Sequence, residues 1–147
     1  MIGGTLAHLI SIKELADVVL FDVAESLAKG KALDIAQSTT ISGSNINLTG
    51  TSNYEDTKNS DVIIITAGIP RKPGMTREEL IGINAGIVKS VSEQLIKYSP
   101  DVILIIVSNP MDTMTYLTHK VTGLPKNRII GMGGALDSAR FKYRLAE

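Results

Sequence analysis

The sequence predicts an α/β fold in which parallel strands alternate with helices. Apolar segments of strand length alternate with amphipathic segments of helical length along the 147 residues, a pattern typical of βα units. The run at 62–65 is continuous and β-branched, which is typical of a strand buried on both faces of a parallel sheet. The segment after it contains two prolines and a glycine, so it cannot continue the strand and must leave the sheet.

The composition is that of a soluble globular domain and argues against several classes of function. Hydrophobic residues make up 44% and charged residues 20% of a chain whose length suits one domain. The formal net charge of zero indicates neither a nucleic-acid nor a membrane partner. The absence of cysteine excludes a disulfide, a thiol nucleophile and a cysteine metal site, and we expect no metal. Residues 1–12 are apolar but make a poor signal peptide, so we expect a cytoplasmic protein.

The first part of the chain is predicted to hold two helices and two strands. A helix entered through Gly3 and Gly4 is followed by a buried strand that ends near a carboxylate, Asp22. A second helix and a weakly alternating edge strand come next, before a polar, turn-like segment. The predicted helices cover 2–15 and 26–38, and the predicted strands cover 17–23 and 45–49.

The loop after the strand at 62–65 is predicted to face a ligand. Open α/β sheets bind ligands at the carboxyl ends of their strands, which is where this loop leaves the sheet. Arg71 and Arg77 are therefore expected to be ligand-facing cations on a movable loop, although a solvated basic loop would explain the segment in isolation. Thr76 and Glu79 have the spacing of a capping box, which predicts the start of the longest helix.

The remainder of the chain continues the alternation of strands and helices. The predicted elements are a strand at 102–107, a helix at 112–121 that closes at Gly123, a short strand at 128–131 and a helix at 135–147. No strand precedes Gly3, although a dinucleotide-binding domain opens with a strand that feeds a glycine-rich turn. We therefore expect the chain to begin inside that motif.

Five short motifs occur in order along the chain. They are Ile-Gly-Gly-Thr at 2–5, Gly-Lys-Ala-Leu-Asp at 30–34, Thr-Ala-Gly-Ile-Pro-Arg-Lys-Pro-Gly-Met at 66–75, Ser-Asn-Pro-Met-Asp at 108–112 and Leu-Asp-Ser-Ala-Arg-Phe at 136–141. With these motifs the sequence resembles the NAD-dependent malate dehydrogenases of the lactate/malate dehydrogenase family, in the branch similar to the lactate dehydrogenases. The likeness covers essentially all 147 residues.

The resemblance implies a Rossmann-type doubly wound parallel sheet that lacks its first strand. The family sheet has the order 3-2-1-4-5-6, and its first strand would precede Met1. The substrate domain, with the segment that holds the catalytic histidine, would follow Glu147. Residues 1–147 are thus expected to be a truncated NAD-binding domain. The strands that end at Asp22 and Thr66 would then have unpaired edges, which could pair directly or be covered by another chain.

The resemblance implies NAD as the cofactor. Asp22 follows Gly3 at about the 20-residue spacing of the acidic residue that binds the adenosine ribose, and its charge would repel the 2′-phosphate of NADP. Gly3 would lie beside the pyrophosphate at a helix N-terminus, a site that we expect to be damaged because two glycines are missing. The implied cofactor contacts are Ile2, Gly3, Asp22, Thr66, Ala67, Gly68, Asn84, Val107 and Asn109.

The resemblance also implies a dicarboxylate substrate, malate or oxaloacetate. Guanidinium groups bind planar carboxylates bidentately, and the resemblance assigns Arg140 to the carboxylate beside the reacting carbon and Arg71 to the distal one. Arg77 would polarise the carbonyl, and Asn109 would touch both the nicotinamide and the substrate oxygen. Asp137 would orient the catalytic histidine. The full-length enzyme is expected to be a homo-oligomer and to act in the tricarboxylic acid cycle.

Three interpretations of function stay open. The first is part of a malate dehydrogenase, and the second is part of a lactate dehydrogenase, which Arg71 disfavours because lactate enzymes generally have an uncharged glutamine there. The third is a non-catalytic remnant that binds a nucleotide or a partner subunit. Neither His8 nor His119 has the glycine-rich surroundings of the family's catalytic loop, so we expect this polypeptide to be inactive alone.

Simpler structural roles are also compatible with several of these residues. Asn84 could be a polar residue tolerated in a helix, and Asp137 with Arg140 could form a plain intrahelical ion pair. Two positions depart from the family pattern. Met111 replaces a common leucine, and the turn at 133–135 is richer in glycine, which could loosen the start of the last helix.

Overall fold

A computed structural model describes residues Ile2–Glu147, and Met1, at the start of the apolar opening segment, lies outside the described residues. The chain divides into two compact units, the first ending at Asn59 and the second beginning at Ser60. The strands form two separate parallel sheets, one in each unit. Helices and parallel strands alternate throughout, so the predicted α/β class is confirmed. None of the helices in the described range is long and apolar enough to cross a membrane.

The first unit contains two helices and a two-stranded parallel sheet. In chain order these are α1 (Ile2–Ile12), β1 (Val18–Phe21), α2 (Glu25–Ser42) and β2 (Leu48–Thr51), followed by a 3₁₀ turn at Tyr54–Thr57. Val18 pairs with Leu48 and Phe21 with Thr51, which sets the register. Helix α2 packs closely on β2 because Gly50 has no side chain, and a Cβ atom there would overlap the carbonyl group of Ala28.

The second unit contains a three-stranded parallel sheet with the order β3-β4-β5. Its elements are β3 (Val62–Ile65), α3 (Arg77–Tyr98), β4 (Ile103–Ile106), α4 (Met111–Thr122), β5 (Ile129–Gly131) and α5 (Ala135–Ala146), with a 3₁₀ turn at Lys126–Arg128 before β5. The middle strand is the most buried, since Leu104 and Ile106 are fully inaccessible to solvent. Val88, Val102 and Met114 complete the inaccessible core of this unit.

Two helix ends of the second unit follow directly from the sequence. The Thr76 hydroxyl accepts a hydrogen bond from the Glu79 amide, and the Glu79 carboxylate accepts one from the Thr76 amide. This reciprocal pair satisfies two amide groups that would otherwise be unpaired at the start of α3, and the predicted capping box is confirmed. At the other end, Gly123 adopts the left-handed conformation, with φ of 67°, and closes α4 as predicted.

The prediction that the run at 62–65 is buried on both faces is wrong. Val62 is 49% exposed, and only Ile65, at 3%, is buried. The reason is topological, because β3 is an edge strand of its sheet and pairs only with β4 among the described residues. In the first unit β1 likewise pairs only with β2, and Val19 is 40% exposed. The two strands expected to flank a missing first strand thus each have one unpaired edge in the described part of the chain.

Candidate functional site

The carboxyl ends of β3 and β4 are held together by a buried serine. Ser108 follows β4 and is 4% exposed. Its hydroxyl group shares its one proton between the carbonyl oxygens of Ala67, at 2.5 Å, and Ile65, at 3.3 Å. The amide of Val107 also donates to the Ile65 carbonyl, at 2.9 Å. The structure therefore brings together the segments after the two strands, where the predicted contacts Thr66, Ala67 and Val107 lie.

Asn84 extends this network from helix α3. Its side chain is 2% exposed, and its Oδ1 atom accepts a hydrogen bond from the Ile69 amide at 2.8 Å. Its Nδ2 atom donates to the carbonyl oxygens of Asn109, at 2.8 Å, and Ile69, at 3.3 Å. The amide group thus joins the loop after β3 to the turn after β4, two segments that the sequence predicts to face a ligand.

Gly68 lies directly against this asparagine. Its φ is +143°, a conformation that residues with a side chain rarely adopt. A Cβ atom at this position would lie 3.1 Å from Oδ1 and 3.3 Å from Nδ2 of Asn84. Glycine is therefore required here by the backbone conformation and by the close approach of a buried amide, and this leaves the backbone at 66–68 without a projecting side chain.

The arginine loop is exposed and partly organised by its own backbone. Arg71 Nε donates a hydrogen bond to the carbonyl oxygen of Met75, at 3.1 Å, across a shallow hollow of about 520 Å³ lined by residues 71–76. The terminal nitrogens of Arg71 have no hydrogen-bond partner within the described residues, so they can bind a carboxylate. Arg77 is the exposed first residue of α3.

Helix α5 carries the other two predicted substrate-site residues. Arg140 Nη1 lies 3.2 Å from Asp137 Oδ1, and their side chains are 68% and 80% exposed. None of the residues of α5 is buried. Arg140 lines a hollow on α5 together with Leu136, Ala139, Tyr143 and Arg144, whereas Arg71 lines the hollow of its own loop. The convergence of the two arginines on one ligand stays a prediction.

The first unit contains the predicted ribose-binding carboxylate. Asp22 follows β1 and is half-buried, and its Oδ1 atom accepts a hydrogen bond from the Ala24 amide at 2.9 Å. This turn fixes the carboxylate and leaves Oδ2 without a hydrogen-bond partner in the described range. Beside it in sequence, Phe21 stacks on Tyr54 with ring centroids 4.3 Å apart, and burial raises the pKa of Tyr54.

The predicted cofactor residues at the start of the chain lie in α1. Ile2 is the first residue of this helix, and Gly3 lies in its first turn. The next residue, Gly4, is buried, and a Cβ atom there would lie 3.0 Å from the side chain of Lys31 in α2. This glycine therefore permits the close packing of α1 on α2.

The two histidines lie on helices α1 and α4. His119 Nδ1 lies 3.1 Å from the Leu124 carbonyl oxygen. This contact gives the imidazole a structural role at the C-terminal end of α4. His8 is exposed on α1. Across residues 2–147 no group of three or more histidine, aspartate or glutamate side chains could hold a metal ion.

Sequence reasoning missed the linking role of Ser108. The signal in the sequence was a polar residue directly after an apolar strand.

Comparison with known proteins supports the resemblance. The family model for the lactate/malate dehydrogenase NAD-binding domain matches residues 1–131. Malate dehydrogenase of Flavobacterium johnsoniae is 63% identical over 147 residues, which is 99% of this chain and 47% of that protein. The chain thus spans about half the length of the curated relatives it matches.

Solved structures of the same family have the same fold. Malate dehydrogenase from Archaeoglobus fulgidus in complex with NADH matches with a TM-score of 0.93 at 40% identity, over 97% of this chain and 49% of that one. Lactate dehydrogenase from Cryptosporidium parvum with lactic acid and NAD matches with a TM-score of 0.92 at 47% identity, over 98% of this chain and 45% of that one. The expected Rossmann-type fold is confirmed, and the chain belongs to the lactate/malate dehydrogenase family, whose NAD-binding domain it matches.

Proposed function

We propose that this chain is the NAD-binding part of a malate dehydrogenase, an oxidoreductase that interconverts malate and oxaloacetate in the cytoplasm as a homo-oligomer. The relatives named malate dehydrogenase support this activity, although the chain spans only about half of their length. The observation that carries the proposal is the availability of the Arg71 guanidinium group. Arg71 supplies terminal guanidinium nitrogens, free of other described partners, on an exposed loop that leaves the sheet beside the linked ends of β3 and β4.

The residues at both predicted cofactor positions fit NAD. In the first unit, Asp22 offers a carboxylate oxygen without a described partner, which can accept hydrogen bonds from ribose hydroxyl groups and would repel a 2′-phosphate. In the second unit, the backbone at 66–68 lacks a projecting side chain because Gly68 lies against Asn84. NAD supplies the hydride acceptor when it is bound. Val107 and Asn109, after β4, are proposed to line the nicotinamide end.

The substrate would be held by three guanidinium groups and one amide. Arg140 would bind the carboxylate beside the reacting carbon, Arg71 the distal carboxylate, and Arg77 and Asn109 the reacting oxygen. Arg140 is paired with Asp137 at 3.2 Å, but both side chains are exposed, and ion pairs of this kind contribute only about 0–1 kcal/mol. A substrate carboxylate can therefore compete for Arg140 at little free-energy cost.

The general base is not expected among the residues of this chain. Asp137 would orient a histidine supplied by the remainder of the family's enzyme, because neither His8 nor His119 has the glycine-rich surroundings of the family's catalytic loop. We therefore expect no NADH formation from malate by the purified 147-residue polypeptide. Appreciable NADH formation, followed by the absorbance of the reduced cofactor, would contradict the proposed division of catalytic residues.

The test of substrate choice is Arg71→Gln in a full-length enzyme that contains this domain. Hydrogen bonds to charged groups contribute about 1.5–3 kcal/mol, so kcat/KM for oxaloacetate relative to pyruvate should fall by about 10- to 100-fold. Lys72→Gln is the matched control, because it removes the same charge from the neighbouring position of the loop and should leave the ratio unchanged. An unchanged ratio in Arg71→Gln would count against malate as the substrate.

A lactate dehydrogenase is the second candidate, because the lactate dehydrogenase from Cryptosporidium parvum is 47% identical over nearly the whole chain. A preference for pyruvate in the unaltered full-length enzyme would favour it. Calorimetric titration of this chain with NAD addresses the third interpretation, a non-catalytic remnant. Saturable heat would indicate a usable cofactor site, whereas the absence of heat would favour the remnant.

A further inference from the structure

The side chain of Asn84 forms hydrogen bonds with the backbone of two segments outside its own helix. It lies on α3 and is 2% exposed, so water cannot satisfy its amide group. A side-chain amide has two N–H donors and one oxygen acceptor. Here the donors bind the carbonyl oxygens of Asn109 and Ile69, and the oxygen accepts from the Ile69 amide. The protein's own backbone thus uses both donors.

The two segments that Asn84 joins both lead to predicted ligand-binding groups. Ile69 belongs to no helix or strand, and it immediately precedes Pro70 and the exposed arginine loop. Asn109 follows β4 and is the predicted amide of the substrate site. The Asn84 side chain accepts a hydrogen bond from the Ile69 amide and donates one to the Ile69 carbonyl oxygen. Both backbone polar groups of Ile69 are therefore held by one side chain.

Access to the amide from the backbone at 66–68 is restricted. Gly68 approaches so closely that a Cβ atom on it would lie between 3.1 and 3.3 Å from the Oδ1, Cγ and Nδ2 atoms of Asn84. The close approach of Gly68 and the low exposure of Asn84 together leave the amide group in contact with the protein's own backbone.

We propose that Asn84 is a positioning residue that clamps the base of the arginine loop to the turn after β4. The clamp makes Ile69 the pivot of the loop, so that Arg71 moves relative to a fixed Asn109. In this role Asn84 acts through the backbone at 69 and 109, in addition to the cofactor contact that the resemblance implies. The part of the inference that concerns substrate groups rests on the proposed function, whereas the clamp does not depend on it.

The clamp can be tested on the 147-residue chain without any ligand. Hydrogen exchange measured by NMR should show slow exchange of the Ile69 amide and of the Asn84 side-chain hydrogens, relative to the amides of residues 71–75. Asn84→Ala removes the acceptor, and exchange of the Ile69 amide should accelerate by about tenfold or more. Asn84→Asp keeps an acceptor for Ile69 but replaces the donor to Asn109 with an oxygen.

Asn84→Asp should therefore restore most of the protection of the Ile69 amide while it shifts the resonances of residues 109–111. A residue with only a general structural role would not give this split between the two ends of the clamp. Asn127→Asp is the matched control, because it makes the same chemical change at an exposed position of the same unit and should move neither signal.

Each outcome decides the inference. Fast exchange of Ile69 in the unaltered chain, or unchanged exchange in Asn84→Ala, would overturn the clamp. Unchanged spectra of the ligand-free Asn84→Ala variant together with weaker NAD binding would overturn the clamp and leave Asn84 with the cofactor contact alone. If Asn84→Ala does not fold, the unaltered chain and Asn84→Asp give the answer. If the unaltered chain does not bind NAD but its Ile69 amide is protected, the cofactor assignment fails and the clamp stands.

Discussion

Gly68→Ala should destabilise the second unit, because the substitution meets two obstacles at once. With φ of +143°, the backbone at this position lies in a region that is essentially restricted to glycine, and a residue with a side chain there costs about 1–3 kcal/mol. The new methyl group would also lie 3.1–3.3 Å from the amide of Asn84. That amide is buried and hydrogen-bonded to Ile69 and Asn109, so it cannot move away without breaking those bonds.

We therefore expect the free energy of unfolding of Gly68→Ala to fall by about 2–4 kcal/mol, measured by urea denaturation with far-UV circular dichroism. Gly86→Ala is a control with the opposite expectation. Gly86 lies inside α3, and a Cβ atom there would meet no heavy atom within 4 Å. Alanine should stabilise that helix by about 0.5–1 kcal/mol. Equal stabilities of Gly68→Ala and the unaltered chain would refute the argument from backbone conformation and contact.

Three further predictions concern packing and helix ends. Gly50→Ala should strongly destabilise the first unit, since the new Cβ would overlap the Ala28 carbonyl group, and thermal unfolding would show this as a large drop in Tm. Ser92→Ala should raise the free energy of unfolding by about 1 kcal/mol in urea denaturation, because the buried Ser92 hydroxyl has no hydrogen-bond partner among residues 2–147. The pKa of Glu79 lies below its ordinary value of 4.5, because its carboxylate accepts a hydrogen bond from the Thr76 backbone amide and, to a smaller extent, one from the Thr76 side chain. The capping box therefore stabilises α3 fully above that pH. The stabilisation should disappear as the pH falls through the lowered pKa, and Glu79→Gln should remove this pH dependence of amide exchange in the first turn of α3.

The helices and strands were largely predictable because their signals are local. The capping box at Thr76 and the glycine at 123 mark helix ends through contacts within a few residues, and both predictions are confirmed. Helix α2 was predicted to end at residue 38 but continues to Ser42. Its last turns are rich in serine and threonine, which are typical of loops. Their hydroxyl groups donate to carbonyl oxygens three residues earlier, as Thr40 does to Gln37, so the polar run stays helical.

The burial of strands was less predictable because it depends on neighbours that are distant in sequence. The runs that form β3 and β4 are equally apolar, but Leu104 in β4 is inaccessible to solvent whereas Val62 in β3 is 49% exposed. Strand β4 lies between β3 and β5, and β3 has a strand on one side only in the described range. Hydrophobic pattern sets which residues can be buried, and topology decides which of them are.

The same distinction applies to two positions that depart from the family pattern. Met111 and the glycine-rich turn at 133–135 are separate features in the sequence, but the structure shows them in one contact. A Cβ atom at Gly131 would lie 2.5 Å from Met111 Sδ, and one at Gly133 would overlap Met111 Cε. Methionine is flexible enough to occupy the space above two glycines, where a branched side chain would adapt less well. The glycines therefore accommodate Met111, and the turn into α5 is filled by packing although its sequence alone suggests a loosened helix start.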